Sequence, residues 1–514
     1  MRLRGLSEKK GGWVGGGMLE MASPRFNVGR FALANPPPET RVLRLYEMPY
    51  DDRIAEIESA PNGSVVDMHG MLFKLGTSHL RPSQLDPLRL VGDPLADAAT
   101  PHIILDATDG RAPGRRGGLY DYGYAAVARV EAMHAAGHPP STALVASMRA
   151  VPSWADMRRV RSGAEFFCAN ILAAGTCLMN LSLIGGFGAW RINKVLESTG
   201  YLAAGRDDVH RRLLETLSFV LSCCGASSSR DSQAMEPDGD GWRAVFAVRL
   251  LHSSVRTRLT SCGRGHWDSA TYGVPINVED MAATLLGFSV VVLLGLERAG
   301  LLWHVSDQEC EDYMHLWRLI GHWLGLPDEF TARLDSVASA QCLLESILPH
   351  IINSDESSSR LVFASLRAVA FRAPFYWSMS DVVCMSRLFS GDFLSDCIGI
   401  PSANDPRLFQ MIEDHHPLTS LPSEIKHVAC NNPHLALTLP SGTSALAKYV
   451  GFLISTALRC AKSAYGMFSS ANSLPLSFKI MPHIVKYASI RRWLAPKLHD
   501  KVSRMVEYRL GFVK

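Results

Sequence analysis

The sequence predicts a mainly α-helical protein. From Pro152 onward, apolar residues recur at three- and four-residue steps between recognisable helix starts and stops. Strand-like alternation is scarce along the whole chain. The composition can fill such a fold: 47% of the 514 residues are hydrophobic and 20% are charged, enough for a large core and unlike a disordered chain.

Residues 1–45 read as a poorly ordered lead-in, with glycines early and Pro36-Pro37-Pro38 near its end. Residues 46–145 read as an extension of short helices and loops. It includes a loop at Pro113–Gly118 and a helix over Tyr120–Ala136. Residues 146–514 form the main domain. Its first helix starts at Pro152-Ser153-Trp154-Ala155-Asp156 and continues into the uncharged run Phe166–Trp190. That run and Met281–Leu296 read as buried core helices, although the first is long enough to span a bilayer.

Thr199-Gly200 stops the next helix, and Asp207 and Asp208 open the one after it, where acidic side chains favour the N-terminal dipole. A Ser-, Asp- and Gly-rich loop over Gly225–Gly241 precedes a helix at Trp242–Leu259. Asn277 then caps a helix starting near Glu279, and Asp312–Leu324 is ended by Gly325-Leu326-Pro327. Helices follow over 335–352 and 359–372. Prolines break up 373–445, and Tyr449–Cys460 and Ile490–Leu510 read as helices, the last basic and amphipathic.

Composition also excludes some functions. The net charge is only +3 and no basic stripe with interleaved aromatics occurs, which argues against nucleic acid as a partner. The 11 cysteines form no CxxC pair and no zinc spacing, as expected of thiols in a reducing compartment. No signal peptide and no nucleotide-binding loop is recognisable, so an intracellular protein is expected, cytoplasmic or associated with the ER membrane.

The candidate site lies in the helix at Trp242–Leu259. Val245, Val248, His252, Val255 and Leu259 share one face, with Arg249 one turn before the histidine and Arg256 one turn after. An imidazole between two arginines suits an anionic, metal-bearing cofactor: the ring ligates the metal and the guanidiniums hold carboxylates. A satisfied core histidine is the ordinary alternative. On the preceding helix Arg212, Glu215 and Thr216 lie close together, either as a functional group or as a plain helix ion pair.

The chain resembles a known family over about Pro152–Pro327. The carriers are Pro152-x-Trp154-x-Asp156, Ser182–Phe187, Val195-Leu196-x-x-Thr199-Gly200-Tyr201-Leu202, Arg212-x-x-Glu215-Thr216 and Arg249-x-x-His252-x-x-Val255-Arg256. Gly273-x-Pro275-Ile276-Asn277-x-Glu279-Asp280, Ala283–Ser289 and Leu316-Trp317-Arg318-x-Ile320-Gly321 follow. In this order and spacing they resemble the rubber oxygenases (latex-clearing proteins) and the fungal ER-bound oxygenase of mycophenolic acid biosynthesis.

The resemblance implies a globin-like all-helical core holding haem b, with His252 as the proximal iron ligand and Arg249 and Arg256 beside it. It places Arg212, Thr216 and Thr284 near the distal pocket. It also implies dioxygen and a small apolar isoprenoid- or terpenoid-type substrate, oxidised at a C=C bond, with an unidentified electron donor and peripheral membrane association as a further expectation. Glu215 stands where rubber oxygenases carry a lysine, and Val278 where the family usually has glutamine, so rubber itself is not the expected substrate. A carboxylate at 215 would serve as a general base or pair with Arg212. The alternatives on the same scaffold are a peroxidase-like tailoring enzyme of secondary metabolism and a non-catalytic haem- or lipid-binding protein; a helical membrane protein without haem lies outside it.

Overall fold

The computed structural model describes residues 41–402, apart from 104–118, 226–233, 262–266, 371–378 and single positions around 201–204 and 299–304. The expectations for residues 1–40, the Pro113–Gly118 loop, most of 373–445, Tyr449–Cys460 and Ile490–Leu510 fall outside the described residues. The protein is mainly α-helical, as its periodicity predicts.

Order begins earlier than the lead-in suggested. Strand β1 (Val42–Arg44) pairs in parallel with β2 (Val65–Met68), which pairs antiparallel with β3 (Met71–Lys74). Helix α1 (Tyr50–Ser59) connects the first two strands. The tight turn at His69-Gly70 has both residues at positive φ, 54° and 83°, and Asp67 Oδ1 accepts from Gly70 N at 2.8 Å. Strands of three or four residues are too short to leave an alternating signature in the sequence.

The extension continues through α2 (Pro94–Ala99), capped by Asp93, then α3 (Leu119–Ala135) and α4 (Pro139–Arg149). Helix α5 (Met157–Ala169), capped by Asp156, does not continue straight into the uncharged run. The chain bends by 86° between α5 and the stretch Ile171–Gly186. That stretch comprises α6 (Ile171–Cys177), a π-helical segment over Leu178–Leu183 and a final short turn. The bend falls at Asn170, whose side-chain amide donates to the Phe166 carbonyl at 2.9 Å and competes with the helical ladder.

The remaining helices follow the predicted order except the last, which lies inside 373–445, the stretch expected to be broken up; no proline falls between Pro374 and Pro401 to interrupt it. They are α7 (Trp190–Thr199), ended by Gly200 at φ 66°, α8 (Arg206–Cys223), α9 (Asp240–Ser261), α10 (Val278–Phe288), α11 (Val290–Arg298) and α12 (Asp307–Trp323). Helices α13 (Val337–Ile351), α14 (Glu356–Val369) and α15 (Met379–Cys397) complete the set. The stretch Val278–Arg298 is long and apolar enough to cross a membrane, and 67% of its apolar window is buried inside the molecule.

One hydrophobic core runs from Leu43, Phe73 and Val130 through Phe166, Trp242 and Tyr313 to Phe389. The extension therefore shares its core with the later helices. A second cluster, with Phe187, Val209, Leu366 and Val383, joins α14 and α15 to α7 and α8.

Candidate functional site

The site is built on α9, and its buried stripe differs from the one the spacing predicts. Trp242, Val245, Phe246, Arg249, Leu250, Ser253 and Arg256 are buried, whereas Val248, His252, Val255 and Leu259 are only partly so. The arginines thus lie deeper than the histidine. Such burial requires paired charges, and the extension provides them.

Arg249 makes a bidentate pair with Asp93: Nε to Oδ2 at 2.6 Å and Nη2 to Oδ1 at 3.0 Å. Its Nη1 also donates to the Trp323 carbonyl at 3.3 Å. Arg256 Nε contacts both oxygens of Asp97, at 2.9 and 3.0 Å, and its Nη1 donates to the Ile276 carbonyl at 2.9 Å. Ser253, between them, donates to Asp97 Oδ1 at 2.6 Å. The carboxylates that these arginines hold are therefore the chain's own, at the cap and first turn of α2.

Gly325 lets the end of α12 close over this group. It sits at φ 90°, where a side chain is strained, and a Cβ there would come within 2.5 Å of Asp93 Oδ2 and 3.0 Å of Arg249 Nε. Gly92, Asp93, His252, Arg256, Asn277, Met281 and Gly325 line a small cavity with room for about one water molecule, with Ile276, Val278, Leu324 and Leu326 completing its wall.

His252 is the chemically free group on that wall. Its Nδ1 is sealed from solvent and has no hydrogen-bond partner. Desolvation, followed by the nearby Arg256 charge and opposed by Asp93, pushes its pKa down to about 4. The ring is therefore neutral at physiological pH with a nitrogen lone pair available, as a metal ligand must be. In this respect His252 fits the axial-ligand role that the resemblance implies for haem. The forks of Arg249 and Arg256 are largely committed to Asp93 and Asp97.

The other expected site residues stand apart from this cavity. Arg212 Nη1 donates to Glu215 Oε2 at 2.9 Å, both side chains being largely buried. Thr216 donates to the Arg212 carbonyl at 3.1 Å, within α8. Thr284 donates to the Asp280 carbonyl at 2.8 Å, within α10. None of the four lines the cavity. No cluster of three or more His, Cys, Asp or Glu suited to holding a metal ion occurs among the described residues.

Sequence reasoning missed Asp93 and Asp97. Asp93-Pro94 is a helix start, with Asp93 Oδ1 accepting from Ala96 N at 3.1 Å, and Asp97 lies one turn on. Their four-residue spacing, one helical turn, was the only local signal available, and it differs from the seven-residue spacing of Arg249 and Arg256.

Residues 171–412 match the family model for the catalytic domain of the ER-bound oxygenase mpaB/B'/Rubber oxygenase. The rubber oxygenase of Streptomyces sp. (strain K30) is 25% identical over 279 residues, which is 52% of this chain and 62% of that protein. The match thus spans less than two thirds of that relative's length. A solved structure of latex clearing protein LCP in the closed state superposes with a TM-score of 0.45 and 19% identity, covering 71% of this chain and 91% of that one. Over residues 171–412, just under half of its length, the chain is similar to the ER-bound oxygenase mpaB/B'/Rubber oxygenase family.

Proposed function

We propose that the protein is a haem b-dependent oxygenase that uses dioxygen on a C=C bond of a small apolar substrate of isoprenoid, terpenoid or other secondary-metabolite type. The observation that carries this reading is His252: a neutral imidazole without a hydrogen-bond partner, on a cavity wall inside a region similar to an oxygenase family. Haem, when bound, supplies dioxygen binding and the redox chemistry.

The chain's own residues do the rest. His252 offers a lone pair without first having to lose a proton. The Arg249–Asp93 and Arg256–Asp97 pairs fix α9 against α2 and so hold the ring in place. Val278, Met281, Leu324 and Leu326 make the wall beside it apolar and exclude water. The Glu215 carboxylate is engaged by Arg212, which favours the pairing role over a free general base. We assign the protein an intracellular location, in the cytoplasm or at the ER membrane.

The test is the absorption spectrum of the full-length protein reconstituted with haem b, beside His252→Ala. We expect a Soret band in the wild type that is lost or displaced in the variant. A wild-type protein that stays colourless would overturn the reading. Labelled dioxygen appearing in two new carbonyls would separate C=C cleavage from a peroxidase-like reaction, and haem uptake without substrate-dependent oxygen consumption would identify a carrier.

A further inference from the structure

The first turn of α10 carries a second group of ionisable side chains that the proposed reaction does not use. His350, on α13, is buried, and its two ring nitrogens both meet carboxylates. Nδ1 is hydrogen-bonded to Glu279 Oε1, and Nε2 lies 3.3 Å from Oδ1 of Asp86. The Asp86 side chain is 54% exposed, whereas that of Glu279 is 0% exposed. A single imidazole therefore connects a solvated carboxylate to a sealed one.

The sealed end is incomplete as drawn by its hydrogen bonds. Glu279 Oε2 has no hydrogen-bond partner, the nearest charge being Arg191 Nη1 at 3.9 Å. Asp280, the next residue, is also buried. Its Oδ2 accepts from Asn277 Nδ2 at 3.0 Å, and its Oδ1 has no partner. Asn277 and Val278 belong to the cavity wall beside His252.

Two adjacent carboxyl groups in a dry site do not both ionise readily. Burial first, and the charge of Glu279 second, push Asp280 up to about 8, against the opposing charges of Arg191 and Arg89. Tyr50 also faces the group, donating to the His350 carbonyl at 2.8 Å. The acid pair thus carries a proton at neutral pH.

We propose that Asp86 and His350 form a proton path from solvent to the Glu279–Asp280 acid pair, which stores a proton behind the wall of the His252 cavity. In one passage Asp86 takes a proton from water and hands it to His350 Nε2, while Nδ1 gives its proton to Glu279 Oε1. Glu279 then passes the proton to the neighbouring Asp280 and regains its charge, so that one proton moves inward, the imidazole is left neutral in its other tautomer, and no electron is transferred. The use of that proton in oxygenation rests on the reading above; the path itself does not.

The test uses the full chain without added haem, transferred into D2O at neutral pH and followed by infrared spectroscopy. The carbonyl stretch of a protonated carboxyl is expected, and Asp280→Asn should remove it. Its deuterium shift should slow by roughly a hundredfold in Asp86→Asn, the lower end of what a positioned acid–base group contributes. Asp86 is exposed, so that variant leaves the core intact; His350→Gln, if folded by near-UV circular dichroism, should slow at least as much. A purely structural ion pair would lower stability without changing the exchange rate. Absence of the band, or unchanged exchange in Asp86→Asn, would overturn the proposal. A protein that binds no haem would sink the oxygenase reading and leave this result standing.

Discussion

At the scale of single residues, the site depends on charges that meet across the chain. Asp93 and Arg249 are separated by 156 residues, and both side chains are nearly buried. Removing one partner of such a pair strands the other, which costs about 3–5 kcal/mol. Asp93→Asn should therefore lower stability by that order in urea unfolding, and Asp93→Leu with Arg249→Met should recover a large part of it. A double variant no better than the single one would mean that the arginine's bonds to Trp323 and Ser147 matter more than the ion pair. This pairing also explains what was legible in the sequence. The positions of Arg249, His252 and Arg256 follow from helical spacing within one element. Their burial order does not, because periodicity treats arginine as polar and cannot see a carboxylate in a distant segment. For the same reason Glu215 and Arg212, three residues apart, were readable as a pair, whereas Asp93 and Asp97 were not assigned to the site at all.

At the scale of elements, helix starts and stops were legible because they depend on local chemistry. Asn277 caps α10 by accepting from Asp280 N at 2.9 Å, and Gly200 ends α7 in the left-handed conformation. Bends and crossings were not, since they depend on what lies opposite. The 86° turn after α5 was read as a continuous helix because Phe166–Trp190 carries no charge to mark a break. Directly before it, α5 crosses α12 at Gly163, where a Cβ would run into the carbonyl group of Asp312 and lie 2.8 Å from Tyr313 Cα. Both obstacles are backbone, so no rotamer change relieves them. Gly163→Ala should destabilise the protein by about 1–3 kcal/mol, the usual cost of overpacking. Thermal unfolding checks this: an unchanged melting temperature would show that the two helices can separate without loss. Arg159, one turn before Gly163, pairs with Asp312 at 2.9 Å and fixes the same crossing.

For the whole molecule, several buried titratable groups combine to set a pH at which the fold is most stable. His69, His252 and His315 have pKa values lowered to about 4, desolvation being the largest cause for each. Unfolded, each binds a proton near 6.5, so their neutral burial contributes stability above that pH that is lost as pH falls toward 4. His79 acts in the opposite direction. Burial alone would lower its pKa, but hydrogen bonds to Cys342 and Glu345 outweigh it and lift the value to about 9; the Glu345 contact is 2.8 Å. Its contribution is fully present below 6.5 and is lost as pH rises through 9. Asp280, raised to about 8, adds a second loss over the range from its ordinary value up to 8, because the unfolded carboxyl ionises first. Below 6.5 three histidines gain stability with rising pH against one carboxyl losing it; above 6.5 both remaining groups lose. The melting temperature should therefore peak near pH 6.5 and fall on either side. His79→Gln should flatten the alkaline limb specifically, since it removes the group whose protonated form ties the strand segment to α13. A limb unchanged in that variant would assign the alkaline loss to Asp280, and Asp280→Asn would then remove it.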